Sequence, residues 1–146
     1  MAHKRQSIRE RVATTLTGLT TTGSNVFQSR VYPIENTKLP CLLIYTREET
    51  SEPLTTNPPR AIEKVLSLVV EGYVKANTNF DDTIDTICEE VEEALFTDRL
   101  INDLALDSFL VNTDISYNGE GDNPLGIVVM TFQITYHHTA VSYTHL

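Results

Sequence analysis

Two stretches near the C-terminus alternate apolar and polar residues with a period of two, and that pattern leaves little choice of fold. In "FLVNTDISY", residues 109–117, the positions Phe109, Val111, Thr113, Ile115 and Tyr117 fall on one side of an extended chain. In "IVVMTFQITYHH", residues 127–138, Val128, Met130, Phe132, Ile134 and Tyr136 do the same. Successive side chains of a strand point to opposite faces, so this period marks half-buried strands. The connection "NGEGDNPLG", residues 118–126, is dense in turn formers. The pair is expected to form an antiparallel hairpin whose projecting loop carries Glu120 and Asp122.

The remaining elements must cover that hairpin. Residues 5–17 place Ile8, Val12 and Leu16 at steps of four, with Leu19 three further on, which is one helical stripe ended near Gly18. Residues 80–96, "FDDTIDTICEEVEEALF", repeat Ile84, Ile87, Cys88, Val91, Ala94 and Leu95 at helical spacing. Asn79 is a fitting N-cap there, and Asp81 and Asp82 suit the positive end of the helix dipole. At about 100° per residue, Asp82, Asp85, Glu89, Glu92 and Glu93 gather on the opposite face. Residues 26–32, "VFQSRVY", read as a strand ended by Pro33, and residues 41–46, "CLLIYT", as a second strand started by Pro40.

Residues 61–74, "AIEKVLSLVVEGYV", fit two patterns. Ile62, Val65, Leu66, Val69, Val70 and Tyr73 suit a helix face, whereas Leu66, Leu68, Val70 and Val74 suit one side of a strand. The valines and Gly72 favour the strand, because glycine weakens a helix interior by about 1 kcal/mol. The expected order is α–β–β–β–α–β–β: an α+β fold, with a largely antiparallel or mixed sheet of about five strands packed against two helices.

One domain spanning residues 1–146 is expected from the length, and about 70% of the extended surface of such a chain is buried on folding. No apolar run approaches the ~18 residues of a membrane span, and the N-terminus lacks the apolar core of a signal peptide. Cys41 and Cys88 each lie in an apolar segment without CxxC spacing, and read as buried free thiols of a reducing cytoplasm. Charge divides the chain. Residues 1–75 hold ten Lys/Arg and seven Asp/Glu, while residues 76–146 hold only Arg99 against thirteen acids. Such an acidic half disfavours sequence-specific nucleic-acid binding.

Catalytic constellations are not legible. His137 and His138 are adjacent on a strand and point apart, so that pair cannot chelate one metal. No HExxH, zinc spacing or phosphate-cradling loop occurs. Glu89, Glu90, Glu92 and Glu93 are acid/base candidates only if the fold brings two together, and they read more simply as a solvated face. No enzyme, cofactor or metal is expected. Interaction elements are more visible. Residues 47–60, "REETSEPLTTNPPR", contain three prolines and no aromatic residue. They read as a flexible arm reaching a neighbouring subunit, with Arg47, Glu48, Glu49, Glu52 and Arg60 as its contact candidates.

Four stretches carry a family likeness: "IRERVATTL", "VYPIENTKLPCLLIYTREET", "LSLVVEGYV" followed by "DTICEEVEEAL", and "VVMTFQITYHH". In this order they resemble the tail terminator proteins of long-tailed bacteriophages, the lambda-type minor tail protein U family. The resemblance implies a protomer that closes into a six-membered ring in the virion tail after assembly in the host cytoplasm. Such a ring caps the tail tube, halts its polymerisation and presents a surface to the head connector or completion protein. Its expected partners are therefore itself, the tube protein and the connector, with genomic DNA passing through the channel unspecifically and no membrane. The acidic face Asp82, Asp85, Glu89, Glu92 and Glu93 would then line that channel or dock on a basic partner. Another head–tail joining or tail-completion protein would share these features. A small cytoplasmic α+β hydrolase or ligand-binding domain is the alternative from a different class. The tail 139–146 runs past the family's last strand.

Overall fold

The computed structural model describes residues 3–28, 39–56, 60–75, 79–119 and 124–140. Among these described residues, two helices and five strands follow the expected order. They are α1 (Lys4–Leu16), β1 (Val26–Phe27), β2 (Cys41–Pro53), β3 (Arg60–Lys75), α2 (Phe80–Thr97), β4 (Asp107–Asn118) and β5 (Leu125–Ala140). The sheet order is β1-β2-β3-β5-β4, with β1 parallel to β2 and every other neighbouring pair antiparallel. The fold is therefore α+β with a mixed sheet.

One core holds it together. Ile8, Val12 and Leu16 of α1 meet Ile84, Ile87, Val91 and Leu95 of α2 over one face of the sheet. That face presents Leu42 and Ile44 of β2, Leu66, Leu68, Val70 and Val74 of β3, and Val128, Met130, Phe132, Ile134 and Tyr136 of β5. Each fully buried side chain of this size contributes about 1.5–3 kcal/mol relative to exposure. The strand reading of residues 61–74 holds, since β3 pairs along its whole length with β5. Gly72 then has a packing reason. A Cβ there would lie 2.9 Å from Val128 Cγ1, and one at Gly126 would lie 2.6 Å from Phe80 Cδ2. Both glycines let neighbouring side chains close onto the sheet.

Three local expectations are corrected. The second strand does not stop at residue 46. After a bulge between Thr46 and Glu48 it runs on to Pro53, paired with Ile62–Ser67. The first half of the expected arm is thus ladder, because backbone pairing with β3 does not require apolar side chains. The second correction lies in β4, where a bulge between Leu110 and Asn112 shifts the register. Leu110, Thr113, Ile115 and Tyr117 share the helix-side face, and Phe109 turns to the other side. An extra residue swaps the faces of everything before it, which simple alternation cannot reveal. Asn79 is the N-cap of α2 as expected, without a side-chain cap bond; its carbonyl accepts from the Thr83 N–H and hydroxyl. Third, the strand expected over 26–32 is Val26–Phe27, and residues 29–38 lie outside the described residues, as do 141–146 of the tail.

Candidate assembly surface

The two rims of the sheet are finished differently. At the α1 end, Glu49 of β2 points inward although it sits in the polar stretch assigned to an arm. Its side chain is only 10% exposed and bridges Arg5 Nη1 at 3.0 Å and Lys64 Nζ at 3.4 Å. The hydroxyl of the fully buried Tyr136 donates to its other oxygen. Burial works against the Glu49 carboxylate, but the Tyr136 hydroxyl and the Lys64 and Arg5 cations outweigh it and hold it below its usual range. The Tyr136 hydroxyl is pushed upward by burial and by that same carboxylate. A second tie joins α1 to the end of α2. Arg11 Nε lies 3.0 Å from Asp98 Oδ2, which also accepts from Thr15.

The candidate arm residues therefore do not form one patch. Arg47, Glu48 and Glu52 are exposed on β2, Glu49 is turned into the fold, and Arg60 opens β3. Sequence reasoning missed the Glu49 cluster, because its four members lie on four elements far apart in the chain. Glu120 and Asp122 lie outside the described residues. His137 is exposed, 3.8 Å from Glu63, while His138 stacks on His3 at 6.3 Å, as expected for neighbours pointing apart. Cys41 and Cys88 are free, buried and on opposite faces of the sheet, and burial pushes each thiol up to about 11. Among the acids, Glu90 is occupied structurally, accepting from the Thr21 N–H and hydroxyl.

The β4 rim is open. β4 is an edge strand, and residues 111–118 are exposed throughout. Ile115 pairs with the fully buried Val128 yet is itself 48% exposed, because α2 covers β5 and stops short of β4. Tyr117 is 58% exposed and meets the start of α2 through a tilted contact with Phe80 at 5.6 Å. At the other end of α2, Phe96 is 78% exposed. There a groove of about 530 Å³ opens between α2 and β4, floored by Leu95, Leu110 and Phe132 and edged by Glu92, Glu93 and Arg99. β4 runs antiparallel to α2, so these features make one shelf beside the helix. Asp82, Asp85, Glu89, Glu92 and Glu93 are all exposed on α2, as the periodicity indicated. Arg99, the one base between residues 79 and 119, is taken by Asp107 at 3.0 Å.

An exposed edge strand with a run of large apolar side chains marks a site of association. Isolated surface leucines mean little, whereas Phe96, Leu106, Phe109, Val111, Ile115 and Tyr117 all fall on one rim. Among the described residues, no cluster of three or more His, Cys, Asp or Glu is arranged to hold a metal ion.

No family model and no curated protein matches the sequence. Among solved structures, a chain from "Virion of native gene transfer agent (GTA) particle" is similar at 8% identity and a TM-score of 0.45, over 92% of this chain and 94% of that one.

Proposed function

We propose that this protein is a structural subunit of a phage-type virion and acts as a tail terminator. In this role copies close into a ring that caps the tail tube and offers a surface to the head connector. A six-membered ring follows from the family resemblance. The observation that carries the reading is the open β4 rim, an apolar and acidic shelf that a lone protomer leaves in water. Closed rings use heterologous contacts, in which one patch of a subunit meets a different patch of the next.

The groove beside Phe132 favours a second reading, a ligand-binding domain, since its volume lies within the range of small-molecule sites. Its lining weakens that reading, because the polar groups at its edge are the Arg99–Asp107 ion pair, Ser108 and the carboxylates of Glu92 and Glu93. The experiment is light scattering over a wide concentration range, alone and with the tail tube protein, followed by negative-stain imaging. Rings, and tubes that stop growing when the protein is added, are expected. A monomer at every concentration that leaves tube growth unchanged overturns the reading.

A further inference from the structure

α1 opens on an unusual cap. Its N-cap is His3, whose ring nitrogen Nδ1 accepts from the Arg5 N–H at 2.9 Å, while the His3 carbonyl accepts from the Ser7 N–H at 3.1 Å and closes the first turn. The preferred caps are Ser, Thr, Asp and Asn, whose oxygens accept throughout the neutral range. An imidazole accepts only while it is neutral, because both nitrogens of the protonated ring carry hydrogen. The first turn also opposes the helix dipole: it holds no acid, and Lys4 and Arg5 follow the cap directly. Other elements bring further charge to the ring. His138 of β5 stacks on it with centroids 6.3 Å apart, and Lys64 of β3 and Glu49 of β2 act on it together with Arg5. Of these only Glu49 favours a charged His3, and its carboxylate is already shared by Arg5, Lys64 and Tyr136.

We infer that His3 is a proton-operated cap: neutral, it closes the first turn of α1, and protonated, it releases that turn, so that mild acid opens the end of α1 lying over the Glu49 cluster. That end is well placed to matter. Lys4 Nζ donates to the His137 carbonyl at 3.1 Å and lies 5.8 Å from the centre of the Tyr136 ring, and Arg5 bridges Glu49. Desolvation at its contacts, then the Arg5 guanidinium, and more weakly Lys64 and His138, hold the His3 ring below its ordinary value of 6.5 against the pull of Glu49. A cationic group lowered in this way binds fewer protons folded than unfolded. Its contribution is complete above 6.5 and is lost as pH falls through the folded value. Glu49 titrates below 4.5, so its bridge to Arg5 outlasts the cap. The first turn then frays around an anchored Arg5 side chain, and that tie fails only when Glu49 itself takes a proton. The cap belongs to the single protomer and works whether or not copies close into a ring.

The test is backbone hydrogen exchange of α1 by NMR, with the His3 ring titrated in the same samples. Protection of the Ser7 and Ile8 amides, taken relative to the unfolded-chain rate at each pH, should fall about fivefold between about pH 7.5 and pH 5, the scale of a lost N-cap. The fall should track the His3 ring signals. His3→Asn keeps an acceptor that does not titrate in this window, so its protection should stay level. His3→Ala should sit at the released level at both pH values. His3 is exposed, so both variants should fold, which far-UV circular dichroism checks. Unchanged protection in the parent overturns the inference. So does an equal fall in His3→Asn, which would assign the effect to His137 or His138. A His3 ring that titrates above 6.5 overturns it as well, because Glu49 would then favour the charged form and acid would tighten that end of α1.

Discussion

The Glu49 cluster, which ties β2, β3 and β5 to α1, and the β4 shelf obey opposite rules. At Glu49, a carboxylate with little exposure has its partners supplied from within: Arg5 from α1, Lys64 from β3 and Tyr136 from β5. At the shelf, large apolar groups and acids remain in contact with water. The first arrangement completes a protomer, because a buried charge without partners costs more than any other local error. The second leaves a protomer incomplete. Their difference separates residues that hold the chain folded from residues whose stabilising contacts wait for another molecule.

The largest effect is expected at the closed end. Glu49→Gln removes the charge shared by Arg5 and Lys64 and should cost about 2–3 kcal/mol, the scale of hydrogen bonds to charged groups. Tyr136→Phe should cost about 1 kcal/mol, since it removes one bond and keeps the ring. Denaturant melts of both variants check this. If Glu49→Gln leaves the midpoint unchanged, the cluster is not a closure and the contrast between the rims dissolves.

Next in size is Gly126, where the shelf meets the core. An added Cβ would lie 2.6 Å from Phe80 Cδ2 and 3.0 Å from Val74 Cγ2. Gly126→Ala should therefore destabilise by about 1–3 kcal/mol through overpacking. It should also loosen the Phe80–Tyr117 contact, which fluorescence of Tyr117 in a background lacking other nearby tyrosines can follow.

Acid should weaken the two ion pairs that tie α1 to the rest of the fold. Glu49 and Asp98 both titrate below their ordinary values of 4.5 and 3.8 in the folded chain. At Asp98 burial opposes the charge, and the Arg11 guanidinium with the Asn102 N–H and Thr15 hydroxyl overcomes it. A carboxylate whose folded value is depressed binds fewer protons folded than unfolded, so its stabilisation is complete above the unfolded value and fades as pH falls through the folded one. Stability should thus decline below about pH 4.5, with a smaller decline in Glu49→Gln, which lacks one of the two groups. Melts of both proteins across pH 2–6 measure the difference. Equal slopes would remove Glu49 from the account.

Much of the scaffold was legible because it rests on period. The stripes Ile8/Val12/Leu16 and Ile84/Ile87/Val91 are buried as their spacing requires. What the sequence concealed was irregular or long-range. Two bulges, after Thr46 and after Leu110, add single residues that no alternation pattern signals. Glu49 looked like one more acid in a polar run, since nothing local shows that Tyr136 and Lys64 stand opposite it. The acidic face of α2 was readable, but the shelf was not. Its exposure depends on how far α2 reaches across β4, which is a property of packing and not of either segment alone.

The smallest effect on the protomer, and the sharpest for the comparison, belongs to Ile115. It keeps half its surface in water although it sits beside Val128, so its side chain adds little to the folded monomer. Ile115→Thr preserves the β-branch and with it the preference for a strand. In dilute protein the change should shift stability by less than about 0.5 kcal/mol, as for most surface substitutions. Docking a second copy would bury that surface. Each CH₂ equivalent removed from water contributes about 0.8 kcal/mol, so losing the larger apolar group should weaken association by roughly 1–1.5 kcal/mol. That is about tenfold in the dissociation constant. Thermal melts at low concentration and light scattering at high concentration read the two effects separately. A melt that falls by several degrees with association unchanged would place Ile115 in the protomer's own core, and the β4 rim would then be closed in the way the Glu49 end is.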